Sequence, residues 1–558
     1  MKMFRAHVLV CAGTNCSLKA NKAVQDRLIQ EIDKRGLAGE IKIVETGCFG
    51  LCEQGPTVVV YPEGVLYCRV APDDVPELVE EHLLKGRRLE RLLYREEPPT
   101  DGKGLKTYQT IPEMDFFRGQ TRIVLRNCGV IDPESIEEYI AQGGYQALGK
   151  ALTTMKPAGV IEEIKTSGLR GRGGAGFPTG LKWEFAAKAQ GDIKYVVCNA
   201  DEGEPGTFKD RLLLEGDPHT ILEGMALAAY AIGAAKGYIY IRGEYSLSIE
   251  RLEQAIVQAK KMGLLGQGIF GSGFSFDVEI RVGAGAYVCG EETALFESLE
   301  GGRGEPRLKP PYPTDVGLFG RPTVINNVET LANAVPILAN GAKWYRGFGT
   351  EKSPGTKVFT LTGDIVNEGL IEVEMGTTLR DIIFGIGGGI PGGRAFKMAQ
   401  SGGTSGGCLP AALLDVPMDY DELAKVEAAL GSGALLIMDD AHCIVDIARV
   451  FARFFEHESC GKCVPCREGT MRIHEIATFV TQGLATEQDL DNLAALARTM
   501  ALACLCPLGQ AAPVPIMTTL KYFRDEYDAH VKEKRCPTGT CRGLADPARA
   551  LTAAGKGA

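Results

Sequence analysis

The sequence predicts a multidomain chain of mixed α/β and α+β type. Three observations carry that expectation. Its 558 residues exceed what one hydrophobic core organises. Strand-like and helix-like periodicities alternate at the start and again from residue 121, then give way to helical periodicity beyond residue 441. Its 17 cysteines fall largely into sets rather than being spread evenly. The expected divisions are 1–88, a linker over 89–120, then 121–350, 351–440, 441–535, and a tail over 536–558.

Composition narrows the function classes. A net charge of −10 argues against nucleic acid as a partner, because phosphate binding needs a basic surface. No apolar run reaches the ~18–20 residues of a membrane span, and the start carries no secretory pattern. A cytoplasmic protein is the expectation. The 70 glycines cluster in short segments, as loops that must approach a ligand closely would require. In such a chain, cysteines are metal ligands more often than disulfides.

The first segment reads as strand (Ala6 to Cys11), helix over 18–36, strand (Ile41 to Glu45), hairpin (Thr57 to Tyr61, Gly64 to Tyr67) and closing helix (Asp73 to Lys85). Two cysteine pairs stand at strand ends, Cys11-x4-Cys16 and Cys48-x3-Cys52. Four thiolates from two loops can complete both irons of a [2Fe–2S] cluster. A redox disulfide or structural zinc would more naturally use Cys-x2-Cys, which neither pair has. The segments Cys11-Ala-Gly-Thr-Asn-Cys16 and Cys48-Phe-Gly-Leu-Cys52-Glu-Gln-Gly-Pro56 resemble thioredoxin-like [2Fe–2S] ferredoxins. Residues 86–120 carry charges, prolines and glycines with weak periodicity, so they read as a linker or an arm across a neighbouring surface.

Gly168 to Trp183 contains Gly171-x-Gly-x-x-Gly176, but a helix rather than a strand precedes it, so the dinucleotide fingerprint lacks its context. Its backbone N–H groups, with Arg170, Arg172 and Lys182, suit a phosphate or an anionic flavin. Tyr195 to Asn199 reads as a buried strand that delivers the acidic loop Asn199 to Gly206 beyond its carboxyl end, where ligands sit in open α/β sheets. Gly283 to Thr293, Lys309 to Pro313 and Pro322 to Glu329 complete a set of glycine-, carboxylate- and amide-rich loops.

Further on, Lys357 to Thr362 and Leu370 to Glu374 read as strands, Thr378 to Phe384 as a short helix, and Gly385 to Gly393 as a loop. Cys460-x2-Cys463-x2-Cys466, with Cys504 and Cys506 about forty residues later, has the three-plus-one thiol arrangement of a [4Fe–4S] site. Met471 to Phe479 and Leu490 to Leu502 read as the amphipathic helices of a bundle between them. In the tail, His530, Cys536 and Cys541 would bind zinc if a fourth ligand came from elsewhere. Cys68, Cys128, Cys198, Cys289, Cys408 and Cys504 read as buried small apolar residues.

From about residue 121 to 535 these motifs together resemble the NADH-binding flavoprotein subunit of respiratory complex I, the 51-kDa type. They also resemble diaphorase subunits of NAD-dependent hydrogenases and formate dehydrogenases. The resemblance implies a Rossmann-like flavin domain, a β-grasp-like domain at 351–440 and a helical [4Fe–4S] domain. It implies FMN at Gly171, Arg172, Gly173, Lys182, Asn199, Asp201, Glu202, Tyr287, Gly290, Glu291, Glu292, Asn326 and Asn327. It implies NAD(H) at Phe177, Phe185, Glu204, Lys309 and Tyr312, the last standing where many relatives carry phenylalanine. It also selects Cys506 over Cys504 as the fourth cluster ligand. Resemblance to bifurcating hydrogenase flavoproteins offers Cys443 as the fourth zinc ligand. The implied function is hydride exchange between NADH and FMN, then single-electron transfer through both clusters to iron–sulfur partner subunits of a hydrogenase, formate dehydrogenase or similar reductase. A bifurcating subunit and a non-enzymatic relay are the competing readings.

Overall fold

In the computed structural model, residues 4–17, 20–96 and 106–544 are described; the middle of the expected linker, 97–105, and the end of the tail, 545–558, lie outside them. The first segment builds β1 (Ala6–Cys11), α1 (Asn21–Lys34), β2 (Ile41–Thr46), β3 (Val58–Tyr61) and β4 (Val65–Tyr67) in one sheet ordered β2-β1-β3-β4. Val24, Leu28 and Ile32 repeat at helical spacing and bury the inner face of α1. That helix starts later than its sequence suggests because Ala20 takes left-handed backbone (φ 67°). The closing helix begins as α2 (Val75–Leu78) and runs on as a π-helical turn through Leu84. Past the undescribed stretch, Met114 and Phe116 are buried, so residues 106–120 do lie as an arm on their neighbours.

The next region carries α3 (Pro157–Ser167), α4 (Thr179–Lys188), β5 (Tyr195–Ala200), α5 (Lys209–Gly216), α6 (Pro218–Ile232), β6 (Lys236–Arg242), α7 (Ser246–Lys261), β7 (Asp277–Gly283), α8 (Glu292–Leu299), β8 (Thr323–Asn327) and α9 (Val328–Asn340). Its strands form an all-parallel sheet ordered β8-β5-β6-β7, so their carboxyl ends share one edge. Helix α6 is buried almost all round, which its Ala- and Leu-rich sequence permits.

His219 on α6 is 1% exposed, donates from Nε2 to Gln258 Oε1, accepts at Nδ1 from Tyr145 Oη, and stacks on Tyr139. Burial pulls its pKa from 6.5 down to about 4. The unfolded chain therefore binds the extra proton in that window. This contribution is full above pH 6.5 and is lost as pH falls towards about 4. It amounts to about 3 kcal/mol at roughly 1.4 kcal/mol per pH unit. In His219→Gln the acid-side decline of the urea midpoint should be shallower than in the wild type; equal slopes would refute the assignment.

The third sheet uses β9 (Thr356–Gly363), β10 (Gly369–Glu374), β11 (Phe396–Ser401), β12 (Cys408–Pro410) and β13 (Ala434–Asp439), ordered β10-β9-β13-β11-β12. The short helix expected at Thr378 to Phe384 instead forms a π-helical turn over Asp381–Ile386, running into the predicted glycine loop. Ile382, Ile383 and Ile386 bury there, so packing overrides the helix-breaking Gly385. The remaining region is helical: α10 (Ile444–Glu458), α11 (Val464–Thr481), α12 (Glu487–Ala503), α13 (Pro507–Ala511), α14 (Val514–Tyr522) and α15 (Arg524–Val531). The two predicted amphipathic stretches are the middles of α11 and α12.

Candidate functional site

The glycine-rich loop between α3 and α4 packs at the carboxyl end of β8, where Arg172 N donates to Thr330 Oγ1 at 2.8 Å. A Cβ on Gly173 would lie 2.8 Å from Asn327 Cβ, and one on Gly176 (φ 64°) would lie 2.7 Å from the Tyr420 ring. Tyr420 Oη donates to Gly171 O at 2.6 Å. Arg172 behaves differently from a ligand-facing arginine. It is wholly buried, and its guanidinium donates to Thr356 O, Pro354 O and Tyr345 Oη at 3.1, 2.8 and 3.0 Å. Its side chain therefore anchors the loop to β9.

The acidic loop after β5 divides its work. Glu202 accepts from the N–H groups of Asp210 and Arg211 at 2.9 and 3.1 Å, capping the start of α5, and burial pushes its pKa up to about 7. Asp201 is different. Both its carboxylate oxygens are buried without a hydrogen-bond partner, as is Arg242 Nη1, which forms a long ion pair with Oδ1 at 4.0 Å. Burial raises Asp201 to about 7. Asn199 donates to Gly290 O at 2.8 Å, Trp183 donates to Asn326 Oδ1 at 2.8 Å, and Asn327 donates to Asp210 Oδ2 at 2.6 Å. Lys182 and Lys309 converge on Glu292 at 3.0 and 2.7 Å. Burial opposes its ionisation, yet these two ammonium groups hold Glu292 down at about 2. Glu291 accepts Lys309 on one oxygen and caps α8 with the other. Crowded glycines and a buried carboxylate without a hydrogen-bond donor are the features of a cradle shaped for a polar ligand, and they fit FMN.

Beside this crevice Phe177, Phe185 and Tyr312 stand about half exposed, at 47, 49 and 56%. Three rings held in solvent suit stacking of a planar ligand. Glu204, expected beside them, is 7% exposed and accepts from Ser405 N, Thr404 Oγ1 and Ser432 Oγ at 2.6, 3.3 and 3.1 Å. It ties the acidic loop to loops of the third sheet.

The loops of the crevice are stitched to the three-cysteine loop. Tyr287 N donates to Glu458 Oε2 at 3.0 Å, its ring packs on Phe454 with centroids 5.2 Å apart, and Arg303 donates to Cys460 O at 2.8 Å. Cys463 immediately precedes α11, Cys466 lies in its first turn, and Cys506 precedes α13. Burial raises Cys506 to about 11 against the N–H groups of Gly509 and Leu508, which favour its thiolate. Cys504 is buried, as expected, but it is no isolated apolar residue. It interacts with the Cys466 thiol, which lowers Cys466 to about 6 and raises Cys504.

At the other end of α5, Glu215 accepts from Thr14 N at 3.1 Å and from Thr14 Oγ1. A Cβ on Gly47 would lie 2.5 Å from Gly216 Cα. The same eight-residue helix thus touches the flavin crevice with its first turn and the Cys11 and Cys48 loops with its last. Cys11, Cys16, Cys48 and Cys52 are all buried. Cys11 contacts Cys16 and Cys48, and Cys48 Sγ lies 3.8 Å from Cys52 Sγ, which suits one shared cluster. Gly50 N donates to Cys48 Sγ at 3.2 Å.

Cys443, His530, Cys536 and Cys541 place their ligand atoms within 4.8 Å of one another, all buried. His530 Nε2 lies 3.4 Å from Cys443 Sγ and 3.3 Å from Cys541 Sγ. His530 Nδ1 faces Glu526 O at 2.8 Å, which fixes the tautomer that frees Nε2 for a metal. Thiol contact lowers Cys443 to about 4. Three thiols and one imidazole fit tetrahedral zinc.

Sequence reasoning missed Lys209, Glu329 and Lys357, which form a wholly buried charge cluster behind the crevice. Their one sequence signal is Lys357, a lysine inside an otherwise apolar strand.

Comparisons with known proteins agree with this geometry. Residues 2–83 match the thioredoxin-like [2Fe–2S] ferredoxin family, residues 164–336 the Nuo51 FMN-binding domain, and residues 446–530 the NADH-ubiquinone oxidoreductase-F iron–sulfur binding region. The NADP-reducing hydrogenase subunit HndC of Solidesulfovibrio fructosivorans is 54% identical over 434 residues, covering 77% of this chain and 88% of that protein. The chain belongs to the 51-kDa flavoprotein family. Another member, an NADH-quinone oxidoreductase subunit of Rhizobium meliloti, is 49% identical over 74% of this chain and 99% of its own length. A solved NAD+-reducing [NiFe]-hydrogenase in the H2-reduced state matches 95% of this chain and 86% of its own, with 32% identity and a TM-score of 0.66. As in the family's FMN and iron–sulfur modules, the matched segments here carry the crevice and the three-cysteine loop. Among the described residues, no helix is long and apolar enough to cross a membrane.

Proposed function

We propose that this flavoprotein is an NAD(H):acceptor oxidoreductase, a diaphorase subunit that passes single electrons to iron–sulfur subunits of a hydrogenase-type complex. The observation that carries the reading is the crevice with the buried Asp201 carboxylate, whose oxygens lack a hydrogen-bond donor, joined by the Tyr287–Glu458 bond to the thiol loop. When bound, FMN supplies the conversion of a two-electron hydride into single electrons. The chain's own residues do the rest. Gly171, Gly173 and Gly176 give the cradle its clearance, with Asn199, Asn326, Asn327, Asp201 and Glu202 on its walls. Lys182, Lys309, Glu291 and Glu292 form a neutralised charge cluster at its rim, and Phe177, Phe185 and Tyr312 offer rings for the nicotinamide nucleotide. Cys460, Cys463, Cys466 and Cys506 would hold the [4Fe–4S] cluster, and Cys11, Cys16, Cys48 and Cys52 the [2Fe–2S] cluster. The divisions at 1–88, 121–350, 351–440 and 441–535 are the proposed modules.

The test is anaerobic titration with NADH. FMN, about six irons per chain, flavin bleaching and reduced-cluster EPR signals are the expected result. A chain that holds both clusters and FMN but ignores NADH would leave only a relay.

Cys443, His530, Cys536 and Cys541 would bind one structural zinc. His530→Ala should reduce zinc to background by elemental analysis while flavin and iron content stay unchanged. Retained zinc would remove His530 from the site.

A further inference from the structure

The end of the helical bundle that carries the three-cysteine loop presents apolar side chains to water. Helix α11 begins at Val464 and α12 ends at Ala503, and the start of one packs on the end of the other, with Gly469 against Met500. That junction holds out Leu502, 88% exposed, and Val464, 58% exposed. Among the described residues no large apolar side chain is more exposed than Leu502. Of the cysteines, only Cys460 and Cys463 are part-exposed, and they stand in the same loop. Apolar groups gathered in water beside such a loop mark a face that a partner covers.

Charge at this face runs against that of the whole chain, which is −10. From Asn492 to Arg524 the sequence has no carboxylate side chain, while Arg498 stands exposed one turn before Leu502. Three more cations are held in place by carbonyls. Arg303 donates to Cys460 O at 2.8 Å, Arg467 to Gly461 O at 2.9 Å and Lys462 to Pro306 O at 2.9 Å. Glu305 pairs with Lys462 at 3.2 Å and Glu468 with Arg467 at 3.1 Å, and Glu458 turns inward to Tyr287 N. Four cations thus face two outward carboxylates. An apolar centre with a cationic rim has the anatomy of a protein-docking surface, and it selects an acidic partner by complementarity and steering.

We propose that this end of the bundle, centred on Leu502 and Val464 and rimmed by Arg303, Lys462, Arg467 and Arg498, docks a small acidic iron–sulfur protein or domain. The proposal rests on the reading that Cys460, Cys463, Cys466 and Cys506 hold the [4Fe–4S] cluster. The occupant is an electron carrier because the part-exposed Cys460 and Cys463 bring the cluster loop to solvent beneath this face.

The experiment mixes the full chain, loaded with FMN and both clusters, with a reduced acidic [2Fe–2S] ferredoxin as the probe. Reduction of the [4Fe–4S] cluster is followed by EPR and NADH formation by absorbance. Each reduced ferredoxin gives up one electron, and two of them with one solvent proton convert one NAD+ into NADH. The rate should saturate at low salt, with the half-saturating ferredoxin concentration rising as salt is added. Leu502→Glu and Arg498→Glu should each raise that concentration about tenfold, with FMN and iron content unchanged. Leu502→Ser should raise it less. Leu484→Glu, at a 67% exposed position beyond the other end of α11, should leave it at the wild-type value. Half-saturation that ignores both salt and Leu502→Glu would overturn the proposal. So would a wild-type dimer in sedimentation that Leu502→Glu separates, because the occupant would then be a second copy of the chain. A wild type whose cluster takes electrons from ferredoxin in this salt-sensitive way, yet forms no NADH, would defeat the NAD(H) reading and leave the docking surface standing.

Discussion

Glu329→Gln is expected to destabilise the chain by about 3–5 kcal/mol, the cost of breaking a buried ion pair by removing one partner. Glu329 is wholly buried and lies 2.6 Å from Lys357 Nζ and 3.0 Å from Lys209 Nζ. Its other oxygen accepts from Val358 N at 2.9 Å. Burial opposes its charge, but Lys357 and Lys209 hold its pKa below the usual value. Lys357 is already strained in this sense, since burial lowers it to about 8. Glutamine keeps the shape and leaves two ammonium groups with Asp210 as the carboxylate bonded to them, helped by Glu202 acting on Lys209. Because Lys357 belongs to β9 and Lys209 to α5, the loss should loosen the second sheet from the third. Urea unfolding and FMN retention would both report it. The double variant Glu329→Gln, Lys357→Met should recover part of the loss, because no buried charge is then orphaned by that pair. A single variant within about 1 kcal/mol of wild type would rule the network out as a structural tie.

The second large effect concerns Asp201. Its buried carboxylate, paired with Arg242 at 4.0 Å but without a hydrogen-bond donor, would accept from a hydroxyl or ring N–H of the flavin, so Asp201→Asn should weaken FMN binding about 10- to 150-fold. That range corresponds to ~1.5–3 kcal/mol for a hydrogen bond to a charged group. The pH dependence has a defined sign. With the flavin-free carboxyl at about 7, protonation competes with FMN as pH falls, so affinity should decline below that value. Between pH 8 and 6 the wild-type dissociation constant should rise about tenfold from this group, at one pKa unit per decade. The flavin phosphate titrates nearby, so the informative quantity is the difference between wild type and Asp201→Asn. If the two profiles run parallel, Asp201 does not accept from the flavin.

The parts legible in the sequence are those whose chemistry is local. Cys11, Cys16, Cys48 and Cys52, or Cys460, Cys463 and Cys466, announce themselves because cluster ligands must come in short loops. Gly173 and Gly176 announce a close approach. What escaped depends on partners far along the chain. Glu204 looks like a ligand-facing carboxylate in its own loop, but Ser405 and Ser432, some two hundred residues on, claim it. Arg172 looks like a phosphate contact until Pro354 and Thr356 take its guanidinium. Glu202, implied by resemblance as an FMN residue, also caps a helix that starts seven residues later, a role its own loop does not show. Cys504 resembles any buried thiol until folding sets it against Cys466. The π-helical turn at Asp381–Ile386 eluded the reading because burial of three isoleucines decided it, against the local preference of Gly385.

Helix α5 has one more consequence. Its first turn is clamped by Glu202 at the crevice and its last by Thr14 of the Cys11 loop, so the crevice and that cysteine loop are joined by a rod of fixed length. Eight residues at ~1.5 Å each set that rod near 12 Å. One added residue would lengthen it by ~1.5 Å and rotate its far end by ~100°, and either clamp would then have to open. The spacing between the crevice and the cysteine loop is thus written as a residue count.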